Sequence, residues 1–290
     1  MKKFAVIDVG SNSVRLMFVA DGKVLYKSLQ TTRLGEGLAL SEIPLLKTEA
    51  IERSACAFAD FFNKAMADGA ERVFAFATAA VRTAVNGQAF VEQVKELCGL
   101  TVEVVSGEEE AELGIIGALG NKDGAVIDIG GASTEIVVKK GGSIVYKKSV
   151  NIGVVRLKDK CGRDGAALKN AATEAAKSFG NVPTDLPIYG IGGTATTVAA
   201  QVLGLKTYAS EQVTGAELAL ADLEKQAARF LEASVEEIAA LPCMPQGRAD
   251  VITGGAVLLA TLLKELGWEK LIASDRDNLE GYAIKHGWLQ

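Results

Sequence analysis

The chain repeats itself. Residues 7–18 read IDVGSNSVRLMF and residues 127–138 read IDIGGASTEIVV, an offset of 120 residues. At that offset Ile7, Asp8, Gly10 and Ser13 meet Ile127, Asp128, Gly130 and Ser133, and further on Gly22, Tyr26 and Lys27 meet Gly142, Tyr146 and Lys147 without a gap. Two copies of one unit in 290 residues call for two similar cores, in keeping with roughly 100–200 residues per domain.

The copies share an order of elements. In each, the apolar run AVID ends at Asp8 or Asp128, a Gly/Ser/Asn turn follows, and a second apolar run leads to a tight turn at Asp21-Gly22 or Gly141-Gly142. Such a turn closes a hairpin onto a third strand. A helical stretch follows, at about 44–68 or 164–180, then a strand ending at Ala77-Thr78 or at Gly192-Gly193. Another helix leads to a last strand, VEVVS at 102–106 or KLIAS at 270–274, which runs into an acidic helix start. Each half reads β-β-β-α-β-α-β, a mixed α/β sheet with helices packed on it. Back to back, two such halves leave a cleft lined by both Asp/Gly turns. The expected domains are 1–120 and 121–278. The second carries an acidic, alanine-rich helical insert at about 211–240, read as a solvated face. A C-terminal helix at about 279–290 is expected to pack back on the first domain, with Trp288 as its anchor.

Composition removes several classes. The net charge of −5 argues against a nucleic-acid coat. The one histidine, His286, excludes His-rich zinc sites, HExxH proteases and His-Asp phosphohydrolase domains. Cys56, Cys98, Cys161 and Cys243 lack CxxC spacing and read as buried thiols of a reducing compartment. The apolar run after Met1-Lys2-Lys3 is broken by Asp8, too soon for a signal peptide, and no stretch reaches about 18 apolar residues. The expectation is a cytoplasmic protein without a membrane partner.

A strand ending in Asp before a Gly/Ser turn suits phosphate. Small residues let backbone N–H groups approach an anion, hydroxyls add donors, and the carboxylate can hold a hydrated Mg²⁺. One copy is also an ordinary hairpin turn; two in equivalent places favour the phosphate reading. Ser106 and Glu109 have capping-box spacing, which gives Glu109 a structural task. Glu110 lies about 100° further around the helix and is free for chemistry. Arg82 stands in the small, apolar stretch FAFATAAVRTA, where a charge requires a partner. That partner is either a phosphoryl group or a neighbouring carboxylate.

Further segments appear in order along the chain: Arg33-Leu-Gly-Glu-Gly37, ATAAVR at 77–82, SGEEEAELG at 106–114, GVVRL at 153–157, GIGGTATT at 190–197, ADVITGGAVLL at 249–259 and SDRDNLEGY at 274–282. With the two turns, they resemble the exopolyphosphatase / guanosine pentaphosphate phosphohydrolase family of the actin–hexokinase–Hsp70 superfamily. The resemblance implies two ribonuclease-H-like domains flanking a cleft. It also implies Mg²⁺-dependent release of terminal orthophosphate from inorganic polyphosphate or guanosine pentaphosphate. It assigns Glu110 as general base, Arg82 to the phosphoryl charge, and Asp128 and Glu135 to Mg²⁺ or the attacking water. Asp8, a further candidate metal ligand, lines the cleft with Ser11, Asn12 and Ser13, and Gly130, Gly131, Ser133, Gly192, Gly193 and Thr194 line its other wall. Arg15 either reaches a phosphate or faces solvent.

The chain departs from the family at Ala132, where a third glycine is usual, and is expected to be the short form without the C-terminal HD-type extension. Between 139 and 169, nine Lys/Arg face two Asp, which suits either a polyanion track or protected hairpin edges. Oligomeric state stays open, a homodimer included. Two rivals remain: an ATP-dependent small-molecule kinase of the same superfamily, and a weakly active polyphosphate or nucleotide sensor.

Overall fold

The computed structural model describes residues 3–289 apart from Ala39 and Ser41. Residues 1, 2 and 290, at the limits of the expected first domain and last helix, lie outside the described residues.

The first half runs β1 (Lys3–Val9), β2 (Ser13–Ala20), β3 (Lys23–Thr31), α1 (Thr48–Ala67), β4 (Arg72–Ala77), α2 (Ala79–Thr83), α3 (Gly87–Cys98), β5 (Glu103–Val104) and α4 (Gly107–Leu119). The second runs β6 (Gly124–Ile129), β7 (Thr134–Lys140), β8 (Ser143–Val150), α5 (Val154–Cys161), α6 (Gly165–Phe179), β9 (Ile188–Ile191), α7 (Gly192–Val202), α8 (Ser210–Val213), β10 (Glu217–Ala219), α9 (Leu220–Glu232), α10 (Val235–Ala239), α11 (Ala249–Leu266), β11 (Lys270–Ala273) and α12 (Asn278–Lys285).

The sheets have the orders β3-β2-β1-β4-β5 and β10-β11-β9-β6-β7-β8. Without β10 these are the same sheet twice: an antiparallel meander with two parallel strands added by helical crossovers. The duplication extends to detail. Asp8 pairs across the ladder with Arg15, and Asp128 with Glu135, at equivalent positions. A β-bulge follows Phe18 in one copy and Val138 in the other.

Each sheet buries its own core. Ile7, Leu16, Phe58 and Phe90 belong to the first, and Ile127, Ile136, Leu168 and Leu258 to the second. The 211–240 segment is not wholly helical, because β10 adds an edge strand to the second sheet. Nor is it only a solvated face. Its longest helix, α9, is amphipathic and buries Leu223, Gln226, Ala227 and Phe230 while packing along α11. The expected strand at 102–106 shrinks to the two residues of β5, which pair only with β4.

Helix α12 ends at Lys285 and packs on α4 and β1. The chain then turns back and stacks Trp288 on Phe74 with ring centroids 3.7 Å apart. The thiols are not buried as expected: all four are free, Cys56 is exposed and the other three are half-buried. Cys56 lies on the outer side of α1, between the buried Ala55 and Ala57.

Candidate active site

The two Asp/Gly turns face one cavity. Gly10 N–H donates to Ser13 C=O at 3.0 Å, and Gly130 N–H donates to Ser133 C=O at 3.0 Å. Each turn is braced from behind by the segment after its hairpin. Thr32 and Arg33 N–H bond Asn12 C=O and Gly35 N–H bonds Ser11 C=O, while Val154 N–H bonds Gly130 C=O and Val155 N–H bonds Gly131 C=O. The turns touch: a Cβ on Gly131 would stand 2.7 Å from Ser11 Cβ and 2.9 Å from Asn12 N. Asp8, Ser11, Asn12, Ser13 and Arg15 line the cavity from the first half. Asp128, Gly130, Gly131, Ala132, Ser133, Gly192, Gly193 and Thr194 line it from the second, with Glu110 between them.

Glu110 is placed by the start of α4. Ser106 Oγ accepts from Glu109 N–H at 3.1 Å and Glu109 Oε2 accepts from Ser106 N–H at 2.8 Å, closing the capping box. Glu109 stays outside, and Glu110 turns inward and is buried. Arg82 does not line the cavity. Its Nη1 donates to Glu110 Oε2 at 3.0 Å and to Val105 C=O at 2.8 Å, so its partner is a carboxylate. Burial pushes Glu110 up to about 7, Arg82 opposing and Asp128 and Asp8 adding to the rise.

Glu135 also stands behind the cavity wall, its Oε1 accepting from Ser149 Oγ at 2.6 Å. Burial, together with Glu110 and Asp128, holds its carboxyl well above the usual range. Asp128 is pushed up to about 6 by burial, against the pull of Arg15. Arg15 lines the cavity and is largely buried, so it does not face solvent. Its guanidinium pairs with both Asp8 and Asp277.

Of the cavity residues that were not among the sequence candidates, two carry nitrogen donors on their side chains. Arg248, the N-cap of α11, covers Gly193 and is buried. It donates to Thr197 Oγ1 at 3.3 Å, pairs with no carboxylate among the described residues and leaves its Nε without a partner. Burial, with Arg15 nearby, pushes it down to about 10. A cation at a helix N-terminus opposes the helix dipole, so this one is stabilised when an anion arrives. Asn278 is the second; its Nδ2 donates to Asp128 Oδ2 at 3.3 Å. The signals in the sequence were an arginine opening an apolar helix and an Asn inside the SDRDNLEGY segment.

The donors suit a hydrated Mg²⁺ but not a protein cage. Among the described residues no three Asp, Glu, His or Cys side chains converge on one point. Arg15 occupies one oxygen of Asp8, and Ser149 one of Glu135. Yet Asp8 Oδ1 and Asn12 Oδ1 are buried acceptors without partners, and Mg²⁺ commonly binds through one or two carboxylates while keeping waters and phosphate oxygens.

The lysine-rich stretch is not a continuous free track. Lys140 pairs with Asp185, Lys147 with Glu108 and Glu112, and Lys158 with Asp250; Lys139 and Arg163 donate to backbone carbonyls. Among the described residues no helix is long and apolar enough to cross a membrane.

Comparison with known proteins agrees with this geometry. The Ppx/GppA phosphatase family model matches residues 5–287. The Mycobacterium tuberculosis protein named exopolyphosphatase 2 is 32% identical over 98% of both chains. A Vibrio atlanticus protein named guanosine-5'-triphosphate,3'-diphosphate pyrophosphatase is 30% identical over 98% of this chain and 58% of its own length. The crystal structure of the Aquifex aeolicus member of the Ppx/GppA family aligns at a TM-score of 0.78 with 29% identity, covering 99% of this chain and 97% of that one. The fold is two ribonuclease-H-like, actin-like α/β domains flanking a cleft. A match that spans nearly the whole sequence, on a fold that brings both turns to one cavity, means that the chain belongs to the Ppx/GppA phosphatase family.

Proposed function

We propose that the protein hydrolyses terminal phosphoanhydrides, releasing orthophosphate from inorganic polyphosphate or guanosine pentaphosphate. The observation that carries this reading is the pair of equivalent turns in contact across one cavity beside a buried glutamate. Backbone N–H groups and hydroxyls of the two turns grip the terminal phosphoryl group, and Arg248 supplies the positive charge that no carboxylate claims. Glu110 accepts a proton from water as its oxygen bonds to phosphorus, and the bond to the leaving phosphate oxygen breaks. Arg82 holds Glu110 and does not touch the substrate. Catalysis of this kind is mostly positioning and electrostatic stabilisation.

Asp8 and Asp128, with Asn12, would hold Mg²⁺. When bound, it would offset charge on the phosphate oxygens and on the crowded carboxylates. Glu135 stands one layer back. A hollow of about 400 Å³ adjoins the cavity past Gly192, Gly193 and Arg248, and its walls include Leu29, Tyr208, Met244 and Pro245. Apolar walls beside a phosphate site suit a nucleoside, which favours guanosine pentaphosphate alongside the inorganic chain.

The test is colorimetric phosphate release from each substrate, with and without Mg²⁺, for the wild type and Glu110→Gln. The wild type releases phosphate in the presence of Mg²⁺. The variant binds polyphosphate and keeps its thermal midpoint, but turns over about 10²–10⁴-fold more slowly, the usual worth of a general base. Wild-type turnover by Glu110→Gln would remove that residue from the chemistry.

A further inference from the structure

The SDRDNLEGY segment supplies no residue to the mechanism above, yet it reaches Asp128 directly, Asp8 through Arg15, and packs its helix on α4. Asp277 caps α12, its Oδ1 accepting from Leu279 N–H at 3.0 Å, while Glu280 Oε2 accepts from Asp277 N–H at 3.0 Å. The other oxygen of Asp277 pairs with Arg15, which also holds Asp8. The next residue, Asn278, is 2% exposed and reaches Asp128. Two consecutive residues thus connect to the aspartates of both turns.

Asn278 has little freedom. A carboxylate only accepts hydrogen bonds, so the NH₂ of the amide faces Asp128 and Oδ1 faces away. That oxygen is buried without a donor and lies 3.0 Å from where a Cβ on Gly114 would stand. Gly114 follows Glu110 by one helical turn and shares its face of α4. The amide therefore stands between Asp128 in one half and the Glu110-bearing face of a helix from the other. Backbone contacts fix its own helix: a Cβ on Gly281 would stand 1.8 Å from Leu113 O, and one on Gly117 2.0 Å from Asp277 O.

Resting on the hydrolase reading, we propose that Asn278 is a positioning residue that fixes the rotation of the Asp128 carboxylate. Its amide selects which oxygen of Asp128 meets the cavity and holds that oxygen at a set distance from Glu110. Outer partners of this kind typically contribute about 10–100-fold to activity when removed, because a small misplacement of a reacting group is expensive.

Asn278→Ala and Asn278→Asp in the full chain test this role. Asn278→Ala lowers kcat about 10–100-fold and leaves KM and the thermal midpoint close to wild type. Asn278→Asp keeps the volume, and an acidic residue suits the first turn of a helix. It nevertheless sets one acceptor against another and lowers kcat further than alanine does. Asp at wild-type kcat, a loss confined to KM, or a loss that only follows the folded fraction each overturns the role. Wild-type protein that releases no phosphate from either substrate overturns the hydrolase reading and this role with it. Wild-type turnover matched by Asn278→Asp overturns the role alone.

Discussion

The two halves share a backbone plan and differ in where they keep their charge. In the first hairpin Asp8 faces Arg15; in the second, Asp128 faces Glu135 at the equivalent register. The first pair is closed by an ion bridge, whereas the second is two acids in a buried place. The acidic helices divide the opposite way. Counting from the capping residues Ser106 and Asp277, the fourth helical position is Glu110 in α4 and Gly281 in α12. One copy of that position holds the candidate base, and the other is where two helices meet backbone to backbone. Duplication kept the Asp/Gly turn twice and divided the buried glutamate and the helix-to-helix fastening between the copies.

This contrast can be broken from its strongest point. Gly281→Glu writes the α4 residue into α12, where even a Cβ would stand 1.8 Å from Leu113 O. We expect no folded product by circular dichroism and gel filtration; a folded, active variant would show that the crossing is not needed. Arg15→Met comes next. It strands Asp8 and Asp277, both buried, and should destabilise the fold by about 3–5 kcal/mol in urea titration.

The pH dependence follows. Glu110 must be ionised to accept a proton, and burial holds its carboxyl at about 7. In the wild type kcat/KM should therefore fall about tenfold per unit as pH drops below that value. A flat profile down to pH 5 would separate the base from this carboxyl.

Glu135→Gln has the smallest effect. The folded-state pKa of Glu135 is raised above its ordinary 4.5, so its protonation stabilises the fold below pH 4.5 and that contribution is lost as pH rises. Gln removes the loss while keeping an acceptor for Ser149. The thermal midpoint should rise at pH 8 and match wild type near pH 4. A fall at pH 8 would mean that the acidic pair holds the second hairpin together.

The sequence foretells this molecule unevenly, and the reason is range. The hairpins are legible because alternation, the turn residues and the 120-residue offset are all local or periodic. The Ser106–Glu109 box is legible because it closes within one turn. The fate of Arg15 is not, because its second partner lies 262 residues away. Asn278 meets Asp128 across 150 residues. Arg248 opens an apolar helix in the sequence, but only folding shows that it is buried with no carboxylate partner among the described residues. The reduction of 102–106 to β5 depends on its place at a sheet edge, which the run VEVVS does not encode.

The seam at Gly117 and Gly281 leaves no side-chain layer between α4 and α12 to compress or slide. Glu110 lies one turn from Leu113 and two from Gly117 on the same helix. The backbone contacts that lock α4 against α12 therefore also set the height at which the glutamate enters the cavity.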